Sequence, residues 1–410
     1  MTAIGDAPYS PEHQEEAMPG ALDGIKILDI TNYIAGPFAT MLLADLGAEV
    51  YKIETPGAGD PFRTWDKEPK DYSPSFCGMN RNKKSITLDI KQPEGKEIFM
   101  RLAEGADVIV ENLRPGVVDR LGIGYEDVKK MNPQIIYCSI SAFGQHGPYR
   151  KKPGYDTLGQ ALSGLLSVLT DLDKPEGPGA SFSDHLGGMY GAYGVLAAIA
   201  ARERTGKGQK VETSLLEATI SFIGFSMTQY LFSGEIPKKS SRLKTAGVYA
   251  LVAGDGKPFV IHLSHPTKFW TGVTEVIGRT DLQTDPRTKD RHARSKNYDM
   301  IHEILSKAVQ SAPRQHWLTA LEEKDVPCAP INNFAEVFED PQVKYLDRLV
   351  RVDDPEFGTF QLVRNGVNLS ETPPEIRLRP PKLGEHNAKT LRTLGYDAAQ
   401  METLRAKKII

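Results

Sequence analysis

Asp184 stands where a loop turns into a helix, in the stretch GASFSDHLGGMYGAYGVLAAIAARERTGKGQKVE from Gly179 to Glu212. A carboxylate there has two uses. As an N-cap it accepts the orphan N–H groups of the first turn. As a nucleophile it needs to be ionised, and a helix N-terminus favours negative charge. The local pattern favours the cap, and the two roles are compatible. The same N–H groups would also stabilise an oxyanion developing nearby.

Further candidates are basic and polar. NRNKKS (80–85) precedes an apolar strand, ENLRPG (111–116) follows one, and Arg120 comes next. Lys83, Lys84, Arg114 and Arg120 could hold an anionic ligand such as a nucleotide phosphate. A solvated charged loop is the commoner fate of any single one. In a parallel sheet, ligands sit at the carboxyl ends of strands, which suits Asn112 and its loop.

Other chemistries lack their patterns. The turn TNYIAGPFAT has one glycine before proline, without the GxGxxG of a dinucleotide site, and no GxxxxGK[ST] occurs. Nine histidines are scattered without HExxH spacing, so no metal site is expected. There is no GxSxG elbow. The three cysteines, Cys77, Cys138 and Cys328, are far apart, which argues against disulfides or zinc and points to a reducing, cytoplasmic setting. A net charge of -3 gives no support for nucleic acid or an anionic membrane as partner. The uncharged run from Leu186 to Ala201 is too short and glycine-rich to span a bilayer.

The elements that must position these residues alternate. GIKILDIT (24–31), AEVYKIE (48–54), KSITLDI (84–90), ADVIVEN (106–112) and QIIYCSISAFG (134–144) read as strands, with helices between them that open at Pro37 and Pro93. This predicts an α/β fold with a parallel sheet. TLGQALSGLLSVL (157–169) reads as one helix. The helix after Asp184 is unusually rich in glycine, and each internal glycine costs ~1 kcal/mol against alanine. Close approach of another backbone or a ligand would compensate. VYALVAGDGKPFVIHLS (248–264) predicts a β-hairpin about Asp255-Gly256. The segmentation is a loose tail over 1–20, a large domain over 21–224 and 331–410, and a small α+β domain over 225–330.

Taken together, LDGIKILDITNYIAGPFATMLLADLGAEVYKIE, NRNKKSITLDI, DVIVENLRPGVVDRLG, GYDTLGQALSG, SDHLGGMYGAYGVLAAIAARERTGKGQ and PKLGEHNAKTLRTLGY resemble the class III CoA-transferases. This family includes formyl-CoA:oxalate and carnitine CoA-transferases and, as a divergent branch, α-methylacyl-CoA racemase. The resemblance implies a Rossmann-like large domain with an inserted small domain, and two subunits threaded as interlocked rings, identical or paralogous. It implies that Asp184 is the nucleophile, carrying aspartyl-anhydride and aspartyl-CoA thioester intermediates. It matches Tyr33, Ile34, Ala35, Lys83, Asn112, Leu113 and Arg120 to CoA contacts, and Tyr155 and Asp156 to the substrate side. Coenzyme A thioester would be a substrate, succinyl-CoA a frequent donor, and no permanent cofactor or metal is implied. Two departures carry information. Ile34 stands where the formyl-CoA enzymes use glutamine, which argues against oxalate as acceptor. Tyr155 stands where the racemases use a histidine base, and tyrosine's ordinary pKa cannot replace imidazole. Transferase therefore ranks ahead of racemase, and a non-catalytic partner subunit comes third.

Overall fold

The structure, a computed structural model, describes residues 20–66, 73–265 and 267–410. The tail expected over 1–20 lies outside the described residues except for Gly20. The chain divides into two compact units. The first comprises the described residues of Met1–Ser163, Ala180–Phe222 and Leu349–Ile410; the second comprises Gly164–Gly179 and Ile223–Arg348. Residues 164–179 and 331–348, assigned above to the large domain, thus group with the second unit.

The first unit is built on six strands: β1 (Lys26–Ile30), β2 (Glu49–Glu54), β3 (Lys83–Thr87), β4 (Val108–Glu111), β5 (Ile136–Ser141) and β6 (Lys210–Ser214). They lie in the order β3-β2-β1-β4-β5-β6, and every pairing is parallel. This is the doubly wound order, whose direction of winding reverses between β1 and β4. Strand alternation then sorts the side chains. Leu28, Ile30 and Ile109 face one core, shared with the helix Pro93–Glu104 and the C-terminal Leu404 and Ile409. Ile27, Val108 and Val110 face the other, shared with Leu43 of the helix Ala35–Asp45 and Val195 of the helix Phe182–Thr205. The C-terminal segment is stitched to β3 by polar contacts. Asn82 Oδ1 accepts the N–H groups of Arg377 (2.7 Å) and Leu378 (2.8 Å), and Asn387 Oδ1 accepts that of Thr87 (2.8 Å).

The glycines of the helix Phe182–Thr205 are explained inside the chain. A Cβ on Gly188 would lie 2.5 Å from the carbonyl oxygen of Ala35, and one on Gly191 would lie 2.7 Å from Ile140. Their propensity cost is offset by packing against the first helix and β5. The helix expected over 157–169 is two, Asp156–Leu162 and Leu165–Leu169, because Gly164 adopts φ +85° between them.

The second unit holds the antiparallel sheet β7 (Val248–Val252), β8 (Pro258–His262) and β9 (Cys328–Pro330). The expected hairpin is present, with Gly256 at φ +77° in its turn. Its core includes Phe259, Trp270, Ile301 and Leu321. No helix among the described residues is long and apolar enough to cross a membrane.

Candidate active site

The turn after β1 is held from below by buried charge. Asp29 points to the same face as Ile27, toward the helix Ala35–Asp45. One of its oxygens accepts from the Thr31 backbone (2.9 Å) and hydroxyl, the other from Thr40 (2.7 Å) and Lys83 Nζ (2.9 Å). Lys83 also donates to the Pro37 carbonyl (2.9 Å) and Asn80 Oδ1 (2.8 Å). Lys52, equally buried, donates to the Thr31 carbonyl and pairs with Asp60, each at 2.9 Å. Burial costs these charges several kcal/mol each unless they are paired and hydrogen-bonded, as they are here. The two lysines hold Asp29 well below the usual carboxylate range despite its burial. Burial and the neighbouring Lys52 bring Lys83 down to about 8, against the pull of Asp29.

This network fixes the backbone of residues 31–35. Tyr33 sits at φ +66°, a left-handed conformation that is uncommon for a non-glycine residue. Its N–H is captured by Asp60 Oδ1 at 3.1 Å. Asn32 is clasped from the other side, its N–H donating to Asn112 Oδ1 (2.9 Å) and its carbonyl accepting from Asn112 Nδ2 (2.8 Å). The loops after β1 and β4 are thereby tied together at the point where the sheet reverses its winding. Glu111, at the end of β4, accepts the Leu113 N–H at 2.8 Å, and burial pushes its carboxyl up to about 7.

A cavity of about 240 Å³ opens over these loops. Its walls are Asn32 to Ala35, Asn112 to Pro115, the end of β5 with the following loop, and Tyr155, Asp184 and Leu215. Six of the residues predicted from sequence, Tyr33, Ile34, Ala35, Asn112, Leu113 and Tyr155, therefore meet Asp184 in one space. Tyr155 is 64% exposed and packs edge-on against Tyr33, with ring centroids 6.0 Å apart. Three predicted residues, Lys83, Arg120 and Asp156, are not among the walls. Lys83 is fully buried with all its donors engaged, so it supports the turn from beneath and is not free to meet an anion. Arg120 is exposed on the short helix Val117–Leu121 and is not part of the cavity lining. Arg114, Arg150 and Lys152 supply the positive charge of the walls instead. Arg150 and Lys152 escaped the sequence reading because GPYRKKPG resembles any solvated loop; the run of three basic residues just before Tyr155-Asp156 was the available signal.

Asp184 is not the cap. Ser181, whose side chain makes no capping bond, opens the helix, and Asp184 lies in its first turn. Its own N–H is satisfied by Asp156 Oδ1 at 3.0 Å. Gln160 holds Asp156 in place, donating from Nε2 to Asp156 Oδ2 (2.6 Å) and to the Ala180 carbonyl (2.9 Å). The electrostatics also differ from the expectation of a carboxylate kept readily ionised. Burial, and then the charge of Asp156, push Asp184 up to about 7. Among the described residues, no three His, Cys, Asp or Glu side chains are grouped as a metal site.

The profile of CoA-transferase family III matches residues 22–387. The chain belongs to CoA-transferase family III. It is 37% identical to the acetyl-CoA:oxalate CoA-transferase of Acetobacter aceti over 90% of this chain and 94% of that protein. It is 36% identical to the human succinyl-CoA:glutarate CoA-transferase over 92% of this chain and 86% of that one. A crystal structure of a CAIB/BAIF family protein from Brucella suis superposes with a TM-score of 0.81 at 33% identity, covering 92% of this chain and all of that one. As a family III CoA-transferase, the protein acts on acyl-CoA thioesters and carboxylic acids.

Proposed function

We propose that the protein moves CoA from succinyl-CoA or a similar donor to a free dicarboxylic acid through covalent intermediates on Asp184. The observation that carries this reading is Asp184 itself, a carboxylate in the cavity at the sheet's reversal point, raised toward neutrality by burial. An Asp184 oxygen attacks the donor thioester carbonyl. The C–S bond breaks, giving an aspartyl-acyl anhydride and CoA thiolate. The thiolate attacks the aspartyl carbonyl and expels the donor acid, leaving an aspartyl-CoA thioester. The acceptor carboxylate attacks that carbonyl and releases thiolate. The thiolate then attacks the acceptor's acyl carbon, forming the new acyl-CoA and freeing Asp184. Each step exchanges one acyl bond for another, so no oxidant or nucleotide is consumed. A desolvated carboxylate of raised basicity is the stronger nucleophile once ionised, which is what the first step uses.

In this reading Tyr33, Ile34, Ala35, Asn112 and Leu113 receive CoA at the crevice, the usual ligand position of a doubly wound sheet. Lys83 acts through the turn it supports. Tyr155 and Asp156 flank the acyl end. Dicarboxylates are favoured by the positive walls and by the names of the relatives, which specify succinyl, glutarate, oxalate and D-citramalate groups. Oxalate therefore stays among the acids to assay, although Ile34 replaces the glutamine of the formyl-CoA enzymes. A racemase is disfavoured by Tyr155.

The interlocked pairing of two copies in the cytoplasm belongs to the same proposal. It is supported by the helix Gly224–Ser233, which has no buried residue although Phe225, Leu231 and Phe232 are 74%, 77% and 91% exposed. Incubation with succinyl-CoA and glutarate, with hydroxylamine added during turnover, tests the chemistry. A hydroxamate on Asp184 is expected. Deuterium entering the α-carbon in D2O without any CoA exchange would overturn it.

A further inference from the structure

The lining of the cavity carries three cations, Arg114, Arg150 and Lys152, and one carboxylate, Asp184. Among the described residues neither Arg114 nor Arg150 pairs its guanidinium with a carboxylate, while the Lys152 ammonium lies 3.5 Å from the centre of the Tyr149 ring. The two arginines belong to different parts of the wall. Arg114 follows Asn112, which clasps the turn after β1. Arg150 sits on the segment that runs from the end of β5 into Tyr155 and Asp156, and Asp156 holds the backbone of the nucleophile at 3.0 Å. Arg114 is thus on the loop that clasps the crevice, and Arg150 on the segment that leads to the residue holding Asp184.

A bis-anionic acid bonded to Asp184 through one end has a second carboxylate to place among these cations. A guanidinium presents a planar pair of donors that matches a carboxylate's two oxygens, which an ammonium engaged with a ring does not. We infer that Arg150 is a specificity-determining residue that binds the distal carboxylate of a dicarboxylic donor or acceptor, while Arg114 serves the nucleotide end. This rests on the transfer reading above but adds a residue and a division of labour to it.

The test compares glutarate with valerate, which has the same chain length and one carboxylate, in the wild type and in Arg150→Gln and Arg150→Lys. The ratio of kcat/KM for glutarate over valerate should fall on the order of 10- to 100-fold in Arg150→Gln, the range of one charge-assisted hydrogen-bonded pair. It should recover in part in Arg150→Lys, and calorimetric affinity for free CoA should change far less than the ratio. Glutarate binding to the resting enzyme, read by calorimetry, should weaken in parallel. An unchanged acid ratio with weakened CoA binding would overturn the assignment and make Arg150 a phosphate contact. Equal losses for both acids would also overturn it. A wild type that binds glutarate through Arg150 yet transfers no CoA would sink the transfer reading and leave this one standing.

Discussion

The backbone N–H of Asp184 donates to Oδ1 of Asp156 across 3.0 Å, so the nucleophile candidate is held in place by a group of its own charge. That contact pins Asp184 in the first turn of its helix and, by repulsion, adds to the burial that discourages its ionisation. Gln160 keeps the arrangement from relaxing. One neighbour therefore sets the position of Asp184 and adds to the burial that tunes its reactivity.

The first consequence is a pH profile. In the proposed mechanism transfer needs ionised Asp184, so kcat/KM should rise with pH through a midpoint near 7. Asp156→Asn keeps an oxygen for the Asp184 N–H and removes the charge, so the midpoint should fall. An unmoved midpoint would mean that another group titrates.

A second concerns stability. The folded value of Asp184 lies above its ordinary value of 3.8, so its stabilising contribution is complete below that pH and lost as pH rises through about 7. Asp184→Asn should abolish transfer yet raise stability at pH 8, by about 1–3 kcal/mol once partial exposure is discounted. The gain should shrink toward pH 4. Urea unfolding at the two pH values measures it.

A third separates support from contact at Lys83. Lys83→Met leaves Asp29 buried beside one cation fewer, at a cost of about 3–5 kcal/mol. Urea denaturation should show that loss. Weakened CoA binding without it would restore Lys83 as a direct ligand.

A fourth concerns assembly. Sedimentation should give twice the chain mass of 45.2 kDa, and Leu231→Glu with Phe232→Glu should lower it toward the monomer. A wild-type monomer at micromolar concentration would remove the dimer from the proposal.

Much of the fold could be read in advance because strands and helices alternate with strong apolar periodicity and proline starts. The register of Asp184 could not, because SFSD offers three cap-type residues in four and the choice of Ser181 depends on tertiary packing. Nor could the buried charges. A lysine in sequence reads as solvated, and the carboxylate that makes Lys83 a core residue lies 54 positions away. Gly164 hid a helix break because a glycine inside an apolar run is often tolerated.

The 2.5 Å gap between a would-be Cβ at Gly188 and the Ala35 carbonyl has a further meaning. The helix bearing Asp184 and the turn proposed to receive CoA are wedged against each other with no slack. Neither can swivel to suit a new acid. Through the four proposed covalent exchanges the carboxylate and the thiol would have to meet at the same spot, whichever acyl group passes between them. Adaptation to a different acid is then left to the segment from Ala142 to Tyr155, the longest of the loops that wall the cavity. Sequence drift in that loop is where relatives with the same carboxylate would be expected to part company in diet.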